Sequence, residues 1–170
     1  MSFWKHLVAI LALPVSVTIA IPIAIILSTH DLNVGWSLPE PITFLPLVIG
    51  GVLIGTGLIL MIKTISLFTT VGQGTLAPWA ATKKLVVQGI YRYVRNPMIS
   101  GVFCISLGEA LFFGSSTLLM WTIVVALINS IYMPLIEEPG LERRFGAEYR
   151  LYKKNVPRWI PRRKPWPDME

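Results

Sequence analysis

The chain has 170 residues, of which 54% are hydrophobic and 14% charged, against ~25% charge in a soluble domain. With a mean hydropathy of +0.64, this composition excludes an ordinary soluble fold and points to one domain built in a membrane. The net charge of +6 would suit nucleic acid. The basic residues, however, flank apolar runs instead of lining a polar face, which excludes that partner.

In chain order, Leu7 to Ser28 is free of charged residues and long enough to cross ~30 Å of hydrocarbon. It exceeds the core of a signal peptide and reads as an uncleaved helix, kinked at Pro14 and Pro22. Residues 30–41 form a polar connector without Lys or Arg. Ile42 to Ile62 is a second span, in which Gly51-x-x-x-Gly55 is a close-packing pattern between helices. From Lys63 to Arg95 the chain turns polar and irregular, predicting a long interfacial loop with at most one short ordered piece. Pro97 to Ile136 carries only Glu109 as a charge. As one helix it would run ~60 Å, so it must be a hairpin turning at Gly114-Ser115-Ser116, with spans over 97–113 and 117–136. Glu137 to Lys154 reads as an amphipathic helix, with Leu141, Phe145, Tyr149 and Tyr152 on its apolar face. The proline- and tryptophan-containing stretch from Val156 reads as an extended, interfacially anchored tail. Cys104 is the single cysteine, which rules out an internal disulfide, and His6 and His30 lie at opposite ends of the first span with no Cys or Asp/Glu cluster near either, so no metal site is expected.

The expected fold class is therefore an all-α integral membrane protein of four transmembrane helices (7–28, 42–62, 97–113, 117–136) plus a C-terminal amphipathic cytoplasmic helix. With four spans every Lys and Arg falls on one face, so both termini are expected in the cytoplasm. On that face three polar segments converge: Gly72-Gln73-Gly74, the Tyr91–Pro97 stretch with Arg92 and Arg95, and Glu137-Glu138. Because the last two spans form a hairpin, Asn96 and Glu137 stand at the same depth. A pocket with arginines and helix N–H groups on one wall and carboxylates on the other suits a zwitterion. The same arginines would also serve plain headgroup contacts. Glu109, ~18 Å along its helix, is too far from this face to join it and reads as structural.

Gly89-Ile90-Tyr91, Arg95-Asn96-Pro97-Met98-Ile99-Ser100-Gly101, Glu137-Glu138 and the segment from Phe145-Gly146-Ala147-Glu148-Tyr149 to Val156-Pro157-Arg158-Trp159-Ile160-Pro161 resemble the isoprenylcysteine carboxyl methyltransferase family. The related phospholipid N-methyltransferases share part of the pattern. The resemblance spans about 72–161 and implies a membrane enzyme using S-adenosylmethionine. It implies cofactor contacts from Gln73, Lys84, Leu85, Val86, Tyr91, Asn96, Pro97, Ile99, Gly101, Glu137 and Glu138. Arg95 and Glu138 are the candidate catalytic residues, and Arg158 and Tyr149 the candidate acceptor contacts. Asn96 and Ile99 stand where the eukaryotic enzymes carry His and Tyr, which marks a bacterial-type member, expected in an inner membrane. The expected partners are membrane lipids and an amphiphilic acceptor, either a prenylcysteine-like carboxylate or a phospholipid amine. The competing expectation is a non-catalytic membrane bundle or lipid-binding assembly factor.

Overall fold

The computed structural model describes residues 11–72 and 84–167 of the chain. Among them every regular element is helical. The chain enters through wide π-type turns over Leu11–Ala20, which continue as α1 (Ile21–Thr29). Pro14 lies inside the wide-turn stretch. Its missing N–H and bulky ring break the regular ladder there, as expected for proline inside a helix. The Thr18 hydroxyl donates to the Pro14 carbonyl at 2.7 Å, so a buried polar side chain finds its partner within its own helix.

α2 spans Phe44–Thr70, two turns beyond the expected end at Ile62. The continuation is possible because its polar residues bond inward: Thr70 Oγ1 donates to the Ser66 carbonyl at 2.8 Å and Thr69 Oγ1 to that of Ile65 at 3.1 Å. Phe68 stacks its ring on that of Tyr91. Beyond Gly72, Gln73 and the rest of the glycine-containing loop lie outside the described residues. The chain is described again from Lys84, runs without regular structure to Gln88, and makes one 3₁₀ turn over Gly89–Arg92.

α3 (Pro97–Phe113) and α4 (Ser116–Tyr132) form the hairpin. Gly114 turns it in the left-handed region at φ 63°. A side chain at Gly114 would also run into the Asn33 carbonyl, so glycine is required twice over. Ser115 caps α4 by accepting from the Leu118 N–H at 3.1 Å. Asp31 reinforces that end, its Oδ2 accepting from Thr117 N and Thr117 Oγ1, both at 2.8 Å. These bonds, the backbone one foremost, hold the Asp31 carboxyl down to about 2.

The most extensive helix pairing is α2 with α3. The glycines that make it are not the expected Gly51 and Gly55: a Cβ at either would meet nothing within 4 Å. Gly50 and Gly57 do the work. A Cβ at Gly50 would lie 2.7 Å from the Gly108 carbonyl oxygen, and one at Gly57 would lie 2.6 Å from that of Gly101. Both pairs are spaced by seven residues, so two glycines per helix face each other two turns apart. Met61, Val102, Ile105 and Val125 form the buried cluster beside them.

α4 leads through a wide π turn (Met133–Glu137, with Pro134 inside it) into α5 (Glu138–Asn155). By length and composition Phe44–Thr70 and the continuous helical rod Ser116–Asn155 can each cross a membrane; Pro14–Thr29 and Pro97–Phe113 are shorter apolar helices. α5 bends at Gly146, whose φ of 56° departs from the helix. Tyr149 and Tyr152 pack against Val87 and Val156, with Leu141, Phe145 and Trp166 around them.

The tail beyond α5 is not a loose anchor. It folds back along the Arg92–Arg95 stretch through three backbone bonds: Arg95 N to the Pro157 carbonyl at 2.9 Å, Arg162 N to that of Tyr93 at 2.9 Å, and Trp166 N to that of Arg92 at 3.0 Å. The Trp166 ring lies 5.9 Å from that of Tyr152.

Candidate functional site

The centre of the site is Glu138, 2% exposed. The wide turn at Met133–Glu137 rotates the register between α4 and α5, a device frequent at functional positions, and delivers this carboxylate to the base of α3. Three cations meet it. Arg158 Nε donates to Oε1 at 2.6 Å and Arg158 Nη2 to Oε2 at 3.0 Å, a two-pronged pair. Arg95 Nη1 lies 3.0 Å from Oε1, and Lys153 Nζ 3.2 Å from Oε2. Burial pushes the Glu138 carboxyl up, but the bonds and charges of Arg158, Arg95 and Lys153 outweigh it and hold the group below the ordinary carboxylate range.

Arg95 and Glu138 therefore touch, and the expected hollow between a basic and an acidic wall is bridged by their contact. Arg158, expected to grip an acceptor, has its guanidinium engaged with Glu138 instead. Tyr149, also expected at the acceptor, is buried and accepts from Arg95 Nη1 at 3.5 Å. Burial, with the Glu138 charge adding, pushes its phenol up to about 12, so it stays a neutral hydroxyl near pH 7. Lys153, which is not among the expected site residues, is the cation that was missed. The Glu138-to-Lys153 spacing crosses the Gly146 bend, which helical periodicity does not reveal.

Tyr91 is buried, its ring 5.6 Å from that of Phe68, and its carbonyl accepts from the Tyr152 hydroxyl at 2.7 Å. Leu85 packs against the α5 cluster, Val86 is buried, and Lys84 is exposed. Arg92 leaves this cluster: its Nε donates to the Trp166 carbonyl. Gly101 faces Gly57 of α2 and is committed to helix packing. Pro97 opens α3, and Ile99 is half-buried within its first turn. Glu137 is half-buried, close enough for its charge to act on Tyr149.

Two buried donors at this corner have no protein partner, Arg95 Nε and Asn96 Nδ2. Asn96 precedes α3 without making a side-chain cap bond, so the first N–H groups of that helix are also left uncapped. Unmet buried donors cost ~1–3 kcal/mol each. Together with a net cationic cluster (three cations around one carboxylate), they form a place for a bound anionic group.

The profile of the phospholipid methyltransferase family matches residues 45–148, well over half of the chain. A protein-S-isoprenylcysteine O-methyltransferase of Schizosaccharomyces pombe is 39% identical over 83 residues, covering 45% of this chain and 33% of that protein. The chain thus spans about a third of the length of that relative. A Haemophilus influenzae protein described as uncharacterized is 35% identical over 63 residues, 37% of this chain and the whole of that protein. No solved structure matches the chain. The profile takes in α2, α3, α4 and the Glu138 turn, and this chain belongs to the phospholipid methyltransferase family.

Proposed function

We propose that the chain is an integral-membrane methyltransferase that uses S-adenosylmethionine to methylate an amphiphilic acceptor. In this reading it has four spans, and the Glu138 cluster sits at the cytoplasmic face with both termini. The observation that carries the reading is the pair of unpartnered donors, Arg95 Nε and Asn96 Nδ2, set at an uncapped helix start beside a buried carboxylate. The residues fit the cofactor: the free donors suit its carboxylate, and Glu138 with Glu137 suits its ammonium. When bound, that cofactor supplies an activated methyl group on a sulfonium.

This chain's own contribution is alignment. Arg95 and Arg158 fix the Glu138 carboxylate from two sides, so its position is set before any ligand arrives. Tyr91, Tyr149 and Tyr152 are buried around it, and burial pushes the Tyr91 and Tyr152 phenols up as well. The corner therefore holds neutral hydroxyls that neither take up nor release protons near pH 7. Water is kept away by the folded-back tail. An acceptor carboxylate needs no general base, whereas a phospholipid amine must shed a proton at some stage. The surplus of cations over carboxylates in the cluster favours the anionic acceptor of these two.

Calorimetry of the detergent-solubilised full chain with S-adenosylmethionine tests the reading. Micromolar binding is expected, lost in Arg95→Ala and in Asn96→Ala, with thermal unfolding run alongside to show that each variant is folded. Intact, folded wild type that binds no cofactor would sink the reading and favour a non-catalytic bundle.

A further inference from the structure

Each oxygen of the Glu138 carboxylate meets two cationic contacts. Oε1 faces Arg158 Nε at 2.6 Å and Arg95 Nη1 at 3.0 Å. Oε2 faces Arg158 Nη2 at 3.0 Å and Lys153 Nζ at 3.2 Å. A carboxylate offers about four lone-pair sites, so these contacts leave no place for the ammonium of a ligand. A ligand that pairs with Glu138 must therefore displace one of the three cations.

The three are not held alike. Arg158 grips both oxygens at once. The Arg95 side chain is 9% exposed and also donates to the Tyr149 hydroxyl, and its backbone N–H is bonded to the Pro157 carbonyl. The Lys153 side chain is 40% exposed, touches Glu138 through one atom, and has no second partner among the described residues. Its flexible stem can carry a strongly hydrated ammonium out into water. The fold does not depend on it. In a straight helix Glu138 and Lys153 would stand ~22 Å apart, so their contact requires the bend at Gly146. That bend is held by other groups: Tyr149 and Tyr152 are buried beyond it, and the Tyr152 hydroxyl donates to the Tyr91 carbonyl at 2.7 Å.

We propose that Lys153 is a built-in competitor, its ammonium standing at the Glu138 Oε2 position that a ligand's ammonium takes and moving into solvent when that ligand binds. This names a regulation of the proposed cofactor site and rests on that reading. One ammonium–carboxylate pair replaces another, so Glu138 stays ionised and clamped by both arginines, and no proton moves. The unpartnered Arg95 Nε and Asn96 Nδ2 at the same corner are left for the ligand's carboxylate. Selectivity follows: a ligand without an ammonium cannot make the exchange and leaves Lys153 in place.

The test is calorimetry of the detergent-solubilised full chain with S-adenosylhomocysteine, which carries the amino-acid arm without the sulfonium charge. Lys153→Met keeps the length of the stem and removes the competing charge; it should bind about two- to fivefold tighter than wild type, the scale of a partly exposed ion pair. Lys154→Met, the same charge change at the neighbouring exposed residue, should bind as wild type does. 5′-Methylthioadenosine, which lacks the arm, should gain nothing from Lys153→Met. A second readout needs no variant: acetylation of wild-type amines, followed by mass spectrometry, should be slower at Lys153 than at Lys154, and S-adenosylhomocysteine should speed it at Lys153 alone. Equal or weaker binding by a folded Lys153→Met, an equal gain in Lys154→Met or for methylthioadenosine, or Lys153 labelling that S-adenosylhomocysteine does not speed would each overturn the assignment. Wild type that binds cofactor without these changes would count against the role of Lys153 alone. Wild type and Lys153→Met that both bind nothing would remove the cofactor reading and this one with it.

Discussion

Glu138 shows how one residue can be both a structural keystone and a proposed site residue. Its carboxylate contacts Arg158, Arg95 and Lys153 from a position almost closed to solvent. Removing one member of a buried ionic cluster strands the others, which costs ~3–5 kcal/mol. Glu138→Ala is therefore expected to lower thermal stability in detergent steeply, because three cations are left facing one another. Glu138→Gln keeps one acceptor oxygen and the side-chain volume in place and should lose distinctly less. Equal unfolding temperatures for the two variants would show that the charge does not hold the corner together. Among the arginines, the sequence puts Arg92 and Arg95 on one wall of the pocket and names only Arg95 as catalytic. The fold separates them, because the tail's carbonyl at Trp166 takes one and Glu138 the other. Backbone carbonyls of a returning tail leave no mark in side-chain pattern, so the destination of Arg92 was not legible.

At the scale of elements, α2 and α3 are held by backbone-to-backbone approach at Gly50–Gly108 and Gly57–Gly101. Gly57→Ala would place a Cβ 2.6 Å from a carbonyl oxygen, and backbone cannot give way as a flexible side chain does. Overpacking of this kind costs ~1–3 kcal/mol. Gly57→Ala should therefore unfold at a lower temperature than wild type, while Gly51→Ala should match it; similar losses in both would refute this helix interface. The existence of these helices was readable, since forty nearly uncharged residues around Gly114 admit only a hairpin. Which glycines touch was not: periodicity locates the faces of a helix but not the direction of its neighbour, so Gly51 and Gly55 looked as good as Gly50 and Gly57. The last two turns of α2 were missed for a related reason. Lys63, Ser66, Thr69 and Thr70 look like a loop until the hydroxyls of Thr69 and Thr70 are seen bonding to carbonyls of their own helix.

For the molecule as a whole, the two carboxylates bound by the most partners sit at opposite ends of the α3–α4 hairpin. Asp31 caps α4 at one end, and Glu138 gathers cations at the other. Both are held below their ordinary values of 3.8 and 4.5. A group with a lowered folded pKa contributes stability that is complete above its unfolded value and is lost as pH falls through the folded one. Stability should thus be flat from neutral pH down to about pH 5 and then fall. Glu138→Gln and Asp31→Asn should each begin lower and fall less steeply, and the double variant least. Acid unfolding curves of equal slope in all four proteins would contradict this. The meeting of Arg95 with Glu138 was legible because hairpin topology puts the start of α3 and the end of α4 at one depth. The closure of the hollow was not, because Arg158 arrives from outside the helices altogether.

That late arrival has a consequence for biogenesis. Arg158 and the Pro157 carbonyl must find Arg95 and Glu138 after α3 and α4 have already been synthesised. A nascent chain can insert its hydrophobic segments while the Glu138 corner stays half-built, with Arg95 facing a carboxylate that still lacks its two-pronged partner. Maturation then becomes a post-insertion event, completed when the trailing residues fold back over a bundle that is already standing.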